Sequence, residues 1–518
     1  MKTIILSVSI IIIAFCTVSC NNSPGKPVDN GEKNSRSTRD YSITSANSYS
    51  DLFLDSNQVE KFITNQHLDN NIADDMRSFY NARNFEFAWF NSDGLTEQAL
   101  SFRSLYDFDS TDSKKILDRS LDSLMIEDTL TIAATDASSI KTELLFTWRF
   151  INYITAKYPD QSAKQAALKE LIPAKKQGTL AMADAVLAAS GNESIIGESY
   201  IALRNQLKRY ADAAKSGGWQ TLPLSKKKIK QNTSDSLIQP LKKRLQQTSE
   251  LATSDTSNIF TPELGTAIRK FQQEHGLKTD GAISQSLIKQ LNVSALERTQ
   301  QILINLERMR WMPSIAKGRT ILVNIPEYIL HVFGGNDPSF NMDIVVGKEG
   351  HSTVMFTGNL DQVVFSPYWN LPPDIIRKEV LPSIKKDNHY LEEHDMEVTG
   401  EENGLPVIRQ LPGDKNELGK VKFLFPNSFN IYFHDTPHKE LFNNNERAFS
   451  HGCIRLREPA KMASFLLKDQ PEWTADRIDE AMNSGKEKFV RVKDPVPVLI
   501  YYYTAWIDDQ NTLQWRED

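Results

Sequence analysis

Cysteine is nearly absent, with three residues in a chain of 518, at positions 16, 20 and 453. So few thiols give no framework for a disulfide-stapled fold. Neither sign of charge dominates: 60 Lys+Arg stand against 66 Asp+Glu, a net charge of −6. A dedicated nucleic-acid binder would carry a strong positive excess, so that class is excluded. Long apolar runs are missing too. The stretch from Ile4 to Val18 is interrupted by Ser7, Ser9, Cys16 and Thr17, and it falls short of the roughly 20 residues that a membrane-spanning helix needs. What is present is ordinary for a folded chain, since 40% hydrophobic and 24% charged residues rule out a wholly disordered, collagen-like or coiled-coil protein. At roughly 150 residues per domain, the length suggests about three domains.

Lys2 followed by that short apolar stretch reads as a signal peptide over residues 1–20. Its end, Thr17-Val18-Ser19-Cys20, resembles the bacterial lipoprotein cleavage site, with Thr17 at the position usually held by Leu. The resemblance implies lipidation of Cys20 and an exported chain, anchored by lipid on the periplasmic side of the envelope. Residues 21–48 are rich in Ser, Asn, Gly, Pro and charge without apolar periodicity, which reads as a disordered tether. Cys16 leaves with the leader and Cys20 carries the lipid. Cys453 is then the one thiol left in the mature chain, either a buried bystander or a reactive group.

Residues 49–250 read as a mostly helical scaffold domain. Leu144, Leu145, Trp148 and Ile151 recur at helical spacing, as do Met76, Phe79, Tyr80 and Arg83. The basic run Lys226, Lys227, Lys228 and Lys230 reads as a solvated face or linker. Residues 251–295 form a small helical module. Thr261 and Pro262 start a helix, Leu264, Ala267, Ile268 and Phe271 share one face, and Gly276 stops it. A Thr279-Asp280-Gly281 turn leads to a second helix bearing Ile283, Leu287, Ile288 and Leu291.

From about residue 319 the apolar period changes to two. Ile321, Val323 and Ile325 alternate with their neighbours, and Leu330 to Phe333 runs into Gly334-Gly335-Asn336-Asp337. Further strands are expected at 342–346, 362–365, 420–425, 430–434 and 496–503. Between Pro373 and Leu418 the alternation breaks into charged helical segments and loops, the pattern of an inserted ornament or lid. The fold class is multidomain α+β.

The chemistry concentrates in two segments. Ile431-Tyr432-Phe433-His434-Asp435-Thr436-Pro437 comes first, and fifteen residues separate His434 from the start of Ser450-His451-Gly452-Cys453-Ile454-Arg455. Alternate side chains of an extended segment share a face, so Tyr432 pairs with His434, and His451 with Cys453 and Arg455. An imidazole from either segment could reach the thiol. A free thiol is only a few per cent ionised at neutral pH, and an imidazole together with Arg455 would favour the anion. Gly452 leaves room for a carbonyl substrate and frees backbone N–H groups to hold an oxyanion. His438, four residues after His434, does not make a metal pair, because Pro437 argues against a helix there and no His-Glu-x-x-His follows.

These two segments resemble the signature of the L,D-transpeptidases with a YkuD-type catalytic domain, here over residues 319–505. Supporting matches are Thr320 to Pro326, Val345-Val346-Gly347, Pro367 to Pro373, Pro412-Gly413, Asn416-x-Leu418-Gly419 and Tyr501 to Ala505. Ala267, Phe271-Gln272, Gly276-Leu277, Asp280-Gly281 and Leu291-Asn292 are similar to a peptidoglycan-binding domain. Together with the helical scaffold and the insertion, the arrangement resembles the large YcbB-like branch. The resemblance implies Cys453 as nucleophile, His434 as its base, His451 in support and Arg455 as an electrostatic partner. It gives the backbone of Gly452 and Cys453 as the oxyanion hole, and Tyr432, Trp369, Asn370 and Ser450 as substrate-binding residues. Residues 374–418 would be the lid. Some members of that branch have Ser at the place of His451, which weights His434 as the base.

The implied reaction needs no cofactor and no metal. Cys453 attacks a peptidoglycan tetrapeptide stem, releases D-alanine, and passes the acyl group to an amine of a second stem as a 3-3 cross-link. Carbapenems are the implied inhibitors. Two other readings use the same sequence: an L,D-carboxypeptidase or other wall hydrolase in which water resolves the thioester, and a non-catalytic lipoprotein that anchors the envelope to the wall. Each residue also has a structural reading, with the histidines and Trp369 as core, Cys453 as inert and Arg455 as a salt-bridge partner.

Overall fold

The computed structural model describes residues 38–109, 133–188, 198–224, 229–252, 254–311, 318–336, 338–348, 353–427 and 429–517. The signal segment with Cys16 and Cys20, residues 21–37 of the tether and Lys226 to Lys228 lie outside the described residues.

The N-terminal region is helical: α1 (Ser56–Asn65), α2 (Asn70–Asn81), α3 (Glu97–Asp109), α4 (Ala137–Lys157), α5 (Gln161–Leu171), α6 (Thr179–Ala188) and α7 (Glu198–Lys215). Aspartates open several of these helices. Asp55, Asp69, Asp136 and Asp160 each accept a backbone N–H of the first turn, which satisfies donors that helix geometry leaves orphaned. Met76, Phe79 and Tyr80 of α2 pack against Phe146, Phe150 and Ile151 of α4, with Trp89 and Trp311 closing the cluster. Arg83, placed by periodicity on the same stripe, lies beyond the end of α2, buried beside Glu86 at 3.7 Å. A short hairpin, Phe90–Asn91 with Gly94–Leu95, interrupts the helices. Two-residue strands leave too little periodicity to read. Glu143 of α4 is buried and accepts the N–H groups of Ala88 and Trp89 and the Tyr80 hydroxyl. Burial outweighs these bonds and pushes its carboxyl up to about 7.

Next come α8 (Ile238–Gln247), α9 (Pro262–Glu274), α10 (Gln285–Asn292) and α11 (Ala295–Arg310). Thr261 caps α9 and Ser284 caps α10, so Ile283 precedes its helix instead of lying within it. Two of the module's motif residues hold its own turn: the Gln272 amide donates to Asp280 at 3.0 Å and accepts the Gly281 N–H at 2.8 Å. A C-terminal hairpin, Ala505–Ile507 with Leu513–Trp515, fastens the module to the rest of the chain. Its Trp515 is buried against Tyr210 of α7, His275 and the Arg298 guanidinium.

The β-rich half contains β1 (Arg319–Asn324), β2 (Ile329–Gly334), β3 (Phe340–Gly347), β4 (Phe356–Phe365), β5 (Val421–Leu424), β6 (Phe433–His434), β7 (Ala448–Ser450), β8 (Ile454–Leu456) and β9 (Lys488–Tyr501). Their order is β7-β3-β8-β6-β5-β4-β9-β1-β2, and a β2–β3 pairing closes the sheet into a barrel. Closure removes the open edges that would otherwise pair with other chains. Ile321, Val323, Val363, Phe423, Phe433, Ile454 and Val498 fill the interior, while α12 (Pro459–Leu467) and α13 (Ala475–Met482) cover one side. The strand expected at 430–434 is paired only at Phe433 and His434, because Asn430 has a left-handed backbone with φ +54°.

The insertion between β4 and β5 is a small folded body. Trp369–Asn370, Leu405–Gln410 and Met396–Glu402 form an antiparallel sheet. Leu371, Ile376, Val380 and Ile408 form its own core. The body thus begins at Trp369, ahead of the charged helical residues that mark it in sequence.

Candidate active site

β6 and β8 run parallel and adjacent, with Phe433 opposite Ile454 and His434 opposite Arg455. Both interior partners of that register, Phe433 and Ile454, are fully buried. The pleat then turns Tyr432, His434, Cys453 and Arg455 to the other face. The Tyr432 and His434 rings lie 5.8 Å apart, and the Ile454 N–H donates to the Tyr432 carbonyl at 3.1 Å, holding Tyr432 beside Cys453. An imidazole, a phenol, a thiol and a guanidinium therefore meet on one patch.

Local bonds fix the turn that carries the thiol. Gly452 has φ +104°, a region that L side chains avoid. Its carbonyl accepts from the Thr353 hydroxyl at 2.8 Å, and Thr353 accepts the Gly347 N–H at 3.0 Å. Ser450 is buried and donates its hydroxyl to the Cys453 carbonyl at 2.5 Å. Ser450, expected among the substrate-binding residues, is thus bonded to the backbone of Cys453. Trp369 packs partly buried against the core of the insertion, and Asn370 is exposed opposite Arg409. His451 is exposed, its Nε2 3.2 Å from Glu379 of the insertion. That contact joins the insertion to the turn bearing Cys453.

Protonation follows from burial. His434 is 4% exposed, and its Nδ1 lies 2.5 Å from the Asp435 carbonyl. That geometry assigns the Nδ1 proton to the carbonyl and leaves Nε2 as the basic nitrogen. Burial, reinforced by the Arg455 charge, lowers the imidazole to about 3. The Cys453 thiol, partly exposed at the surface but desolvated by its surroundings, is pushed up to about 11. The Tyr432 groups and Arg455 pull it the other way and are outweighed. Both shifts favour the neutral thiol and the neutral imidazole over the anion expected from sequence, because desolvation opposes the charged form of each. The thiol's hydrogen-bond partners among the described residues are the Asn430 carbonyl at 3.6 Å and the Tyr432 groups, not His434. For His434 to act as base on this thiol the proton must change acceptor, and such tightening on ligand binding is common for catalytic pairs.

Arg455 lies 3.9 Å from Glu417, which also faces His438 at 3.2 Å. His438 has Glu440 on its other nitrogen at 3.5 Å. Among the described residues no group of three or more His, Cys, Asp or Glu is disposed to hold a metal ion. Thr353, Glu379, Glu417 and Asn430 had no distinguishing signal in the sequence. Gly419 did, in the Asn416-x-Leu418-Gly419 match. It has φ +61°, and a Cβ there would lie 2.4 Å from Asp435 Oδ2. Asp435 is itself held by the Lys420 N–H at 2.9 Å and the Lys439 ammonium at 2.6 Å. Gly419→Ala is expected to lose roughly 2–4 kcal/mol, combining left-handed strain with overpacking. Denaturant unfolding reads this directly, and an unchanged midpoint would mean that Asp435 yields freely.

Comparison with known proteins gives three domain matches. Residues 318–498 match the YkuD L,D-transpeptidase catalytic domain, residues 74–214 a scaffold domain, and residues 234–291 a peptidoglycan binding domain. A Haemophilus influenzae protein, named as a candidate L,D-transpeptidase, is 34% identical over 229 residues, which is 41% of this chain and 46% of the relative. This chain therefore spans less than half the length of that relative. Among solved structures, an L,D-transpeptidase from Stackebrandtia nassauensis matches at 13% identity with TM-score 0.22, covering 54% of this chain and 96% of that one. One from Mycobacterium smegmatis matches at 14% identity with TM-score 0.20, covering 35% and 58%. The chain carries an L,D-transpeptidase catalytic domain and a peptidoglycan binding domain.

Proposed function

We propose that the L,D-transpeptidase catalytic domain forms 3-3 cross-links between peptidoglycan stem peptides through a thioester on Cys453. The observation that carries this reading is the shared face of Cys453, His434, Tyr432 and Arg455 on adjacent parallel strands, ahead of a turn held by Thr353 and Ser450.

In the first half-reaction, Cys453 Sγ attacks the carbonyl of the L,D bond before the terminal D-alanine while His434 Nε2 takes the thiol proton. The tetrahedral oxyanion faces the backbone N–H groups of Gly452 and Cys453. As the C–N bond breaks, His434 returns the proton to the departing D-alanine amine, leaving a thioester and a neutral imidazole. In the second half, an amine of another stem attacks the thioester, gives up a proton through His434, and restores the thiol. The thioester retains the energy of the broken amide, so no nucleotide is consumed. The insertion, joined to the catalytic turn by Glu379 and His451, covers the groove and limits water as the competing acceptor. The binding module holds the chain at the wall, and the leader with Cys20 exports it and anchors it by lipid at the periplasmic face.

The test is incubation of the full chain with purified disaccharide-tetrapeptide, followed by mass spectrometry of the products. Free D-alanine and cross-linked dimers are expected. A tripeptide product alone would replace the transferase with a carboxypeptidase, and an unchanged substrate would overturn both.

A further inference from the structure

We propose that Arg103, on the helical scaffold, is a positioning residue for the Cys453 thiol, acting through Phe429 and the Asn430 carbonyl. The inference rests on Cys453 being the nucleophile.

α3 packs on β4, and from it the buried Arg103 sets its guanidinium over the Phe429 ring, 4.8 Å from the centroid. The Phe429 ring also meets Phe356 of β4 at 5.2 Å. It is thus clamped between a scaffold cation and the barrel core, a contact that strengthens when desolvated. Phe429 is followed by Asn430, whose left-handed backbone with φ +54° aims its carbonyl at Cys453 Sγ. Asn427 braces the same loop, its amide donating to the Phe425 and Ile431 carbonyls at 2.7 Å and accepting the Phe429 N–H at 3.0 Å. A loop held at Asn427 from within and at Phe429 from the scaffold has little freedom at Asn430. That carbonyl accepts the thiol proton at 3.6 Å while the Tyr432 groups, two residues on, bond the same sulfur, so the position of this loop enters the geometry of attack. The scaffold therefore contributes to the geometry of a site to which it supplies no reacting group.

The titratable and charged groups around the thiol are Tyr432 and His434 on the neighbouring segment, Arg455 on its own strand with Glu417 beyond, and His451 with Glu379 on the turn. A moved thiol midpoint then reports the loop that carries Asn430 and shields the sulfur. In full chains, the rate of Cys453 alkylation by iodoacetamide is followed against pH, alongside acylation by a carbapenem. Arg103→Ala is expected to lower the alkylation midpoint by at least about one pH unit toward the ordinary thiol value, because a loosened loop admits water to the sulfur and withdraws the acceptor of its neutral form. It should also slow carbapenem acylation about tenfold, because the sulfur no longer holds one attack geometry.

Arg103→Lys keeps a cation over the ring and should restore both readouts. Phe429→Leu should reproduce the alanine phenotype from the other side of the contact, and the double variant should add nothing, as expected for one shared path. An Arg103→Ala chain with a lower melting point but an unmoved alkylation midpoint would overturn the proposal, leaving Arg103 as interface packing. Failure of the wild type to take a carbapenem would instead count against the proposed acyl transfer, and the alkylation midpoint would still report on Arg103.

Discussion

Replacing Cys453 with alanine is expected to abolish carbapenem capture, seen as loss of the adduct in the intact mass, and to reduce cross-link formation by at least about 10⁴-fold, the scale reached when a nucleophile is removed. The structural effect should be small. Cys453 is partly exposed, and the strong features of its turn belong to other groups: the positive φ of Gly452, the Thr353 bond to the Gly452 carbonyl, and the Ser450 bond to the Cys453 backbone carbonyl. None of these needs the sulfur. A variant that stays folded, binds wall material through its intact module and yet transfers nothing would separate catalysis from anchoring. A variant that retains cross-linking would remove the thioester from the mechanism, and with it the role given to His434.

Much of this architecture was legible in the chain, for identifiable reasons. The change from helical spacing to alternation near residue 319 reflects a real boundary, because barrel strands bury one face and the helices before them bury a stripe. Thr261, Pro262 and Gly276 marked α9 because caps act through single residues and leave a local signature. The pairing of Tyr432 with His434 and of Cys453 with Arg455 followed from a period of two, and the register of β6 against β8 brings the two pairs together.

What the sequence hid was long-range. The Asn430 carbonyl is a backbone group, and any residue offers one. Thr353, between β3 and β4, and Glu379 reach the turn bearing Cys453 only because that segment and the insertion fold back onto it. Arg103 reads as one more charge on a helix until α3 is laid on the barrel. The balance that sets the thiol's protonation was hidden for a related reason. Sequence reveals the neighbouring charges but not the desolvation that outweighs them.

Replacing His434 with alanine is expected to slow carbapenem acylation at pH 7 by about 10²–10⁴-fold, the usual contribution of a positioned general base, and to change the shape of the pH profile. The wild-type reaction needs the imidazole neutral and the thiol protonated. The imidazole, lowered to about 3, gains its proton only in strong acid, and the thiol, raised to about 11, loses its own only in strong base. Between those limits the protonation state is constant, so the wild-type rate should be level from about pH 5 to pH 9. Without the imidazole, only the thiolate can attack. Its fraction grows tenfold with each pH unit below the thiol midpoint, so the variant should climb on a slope of one and approach wild type as the medium becomes alkaline. The defect is thus largest in acid and smallest in base. A wild-type profile falling below pH 6–7, with the variant merely scaled down, would mean that the thiol itself ionises near pH 6–7, and that the Arg455 charge outweighs desolvation at this site.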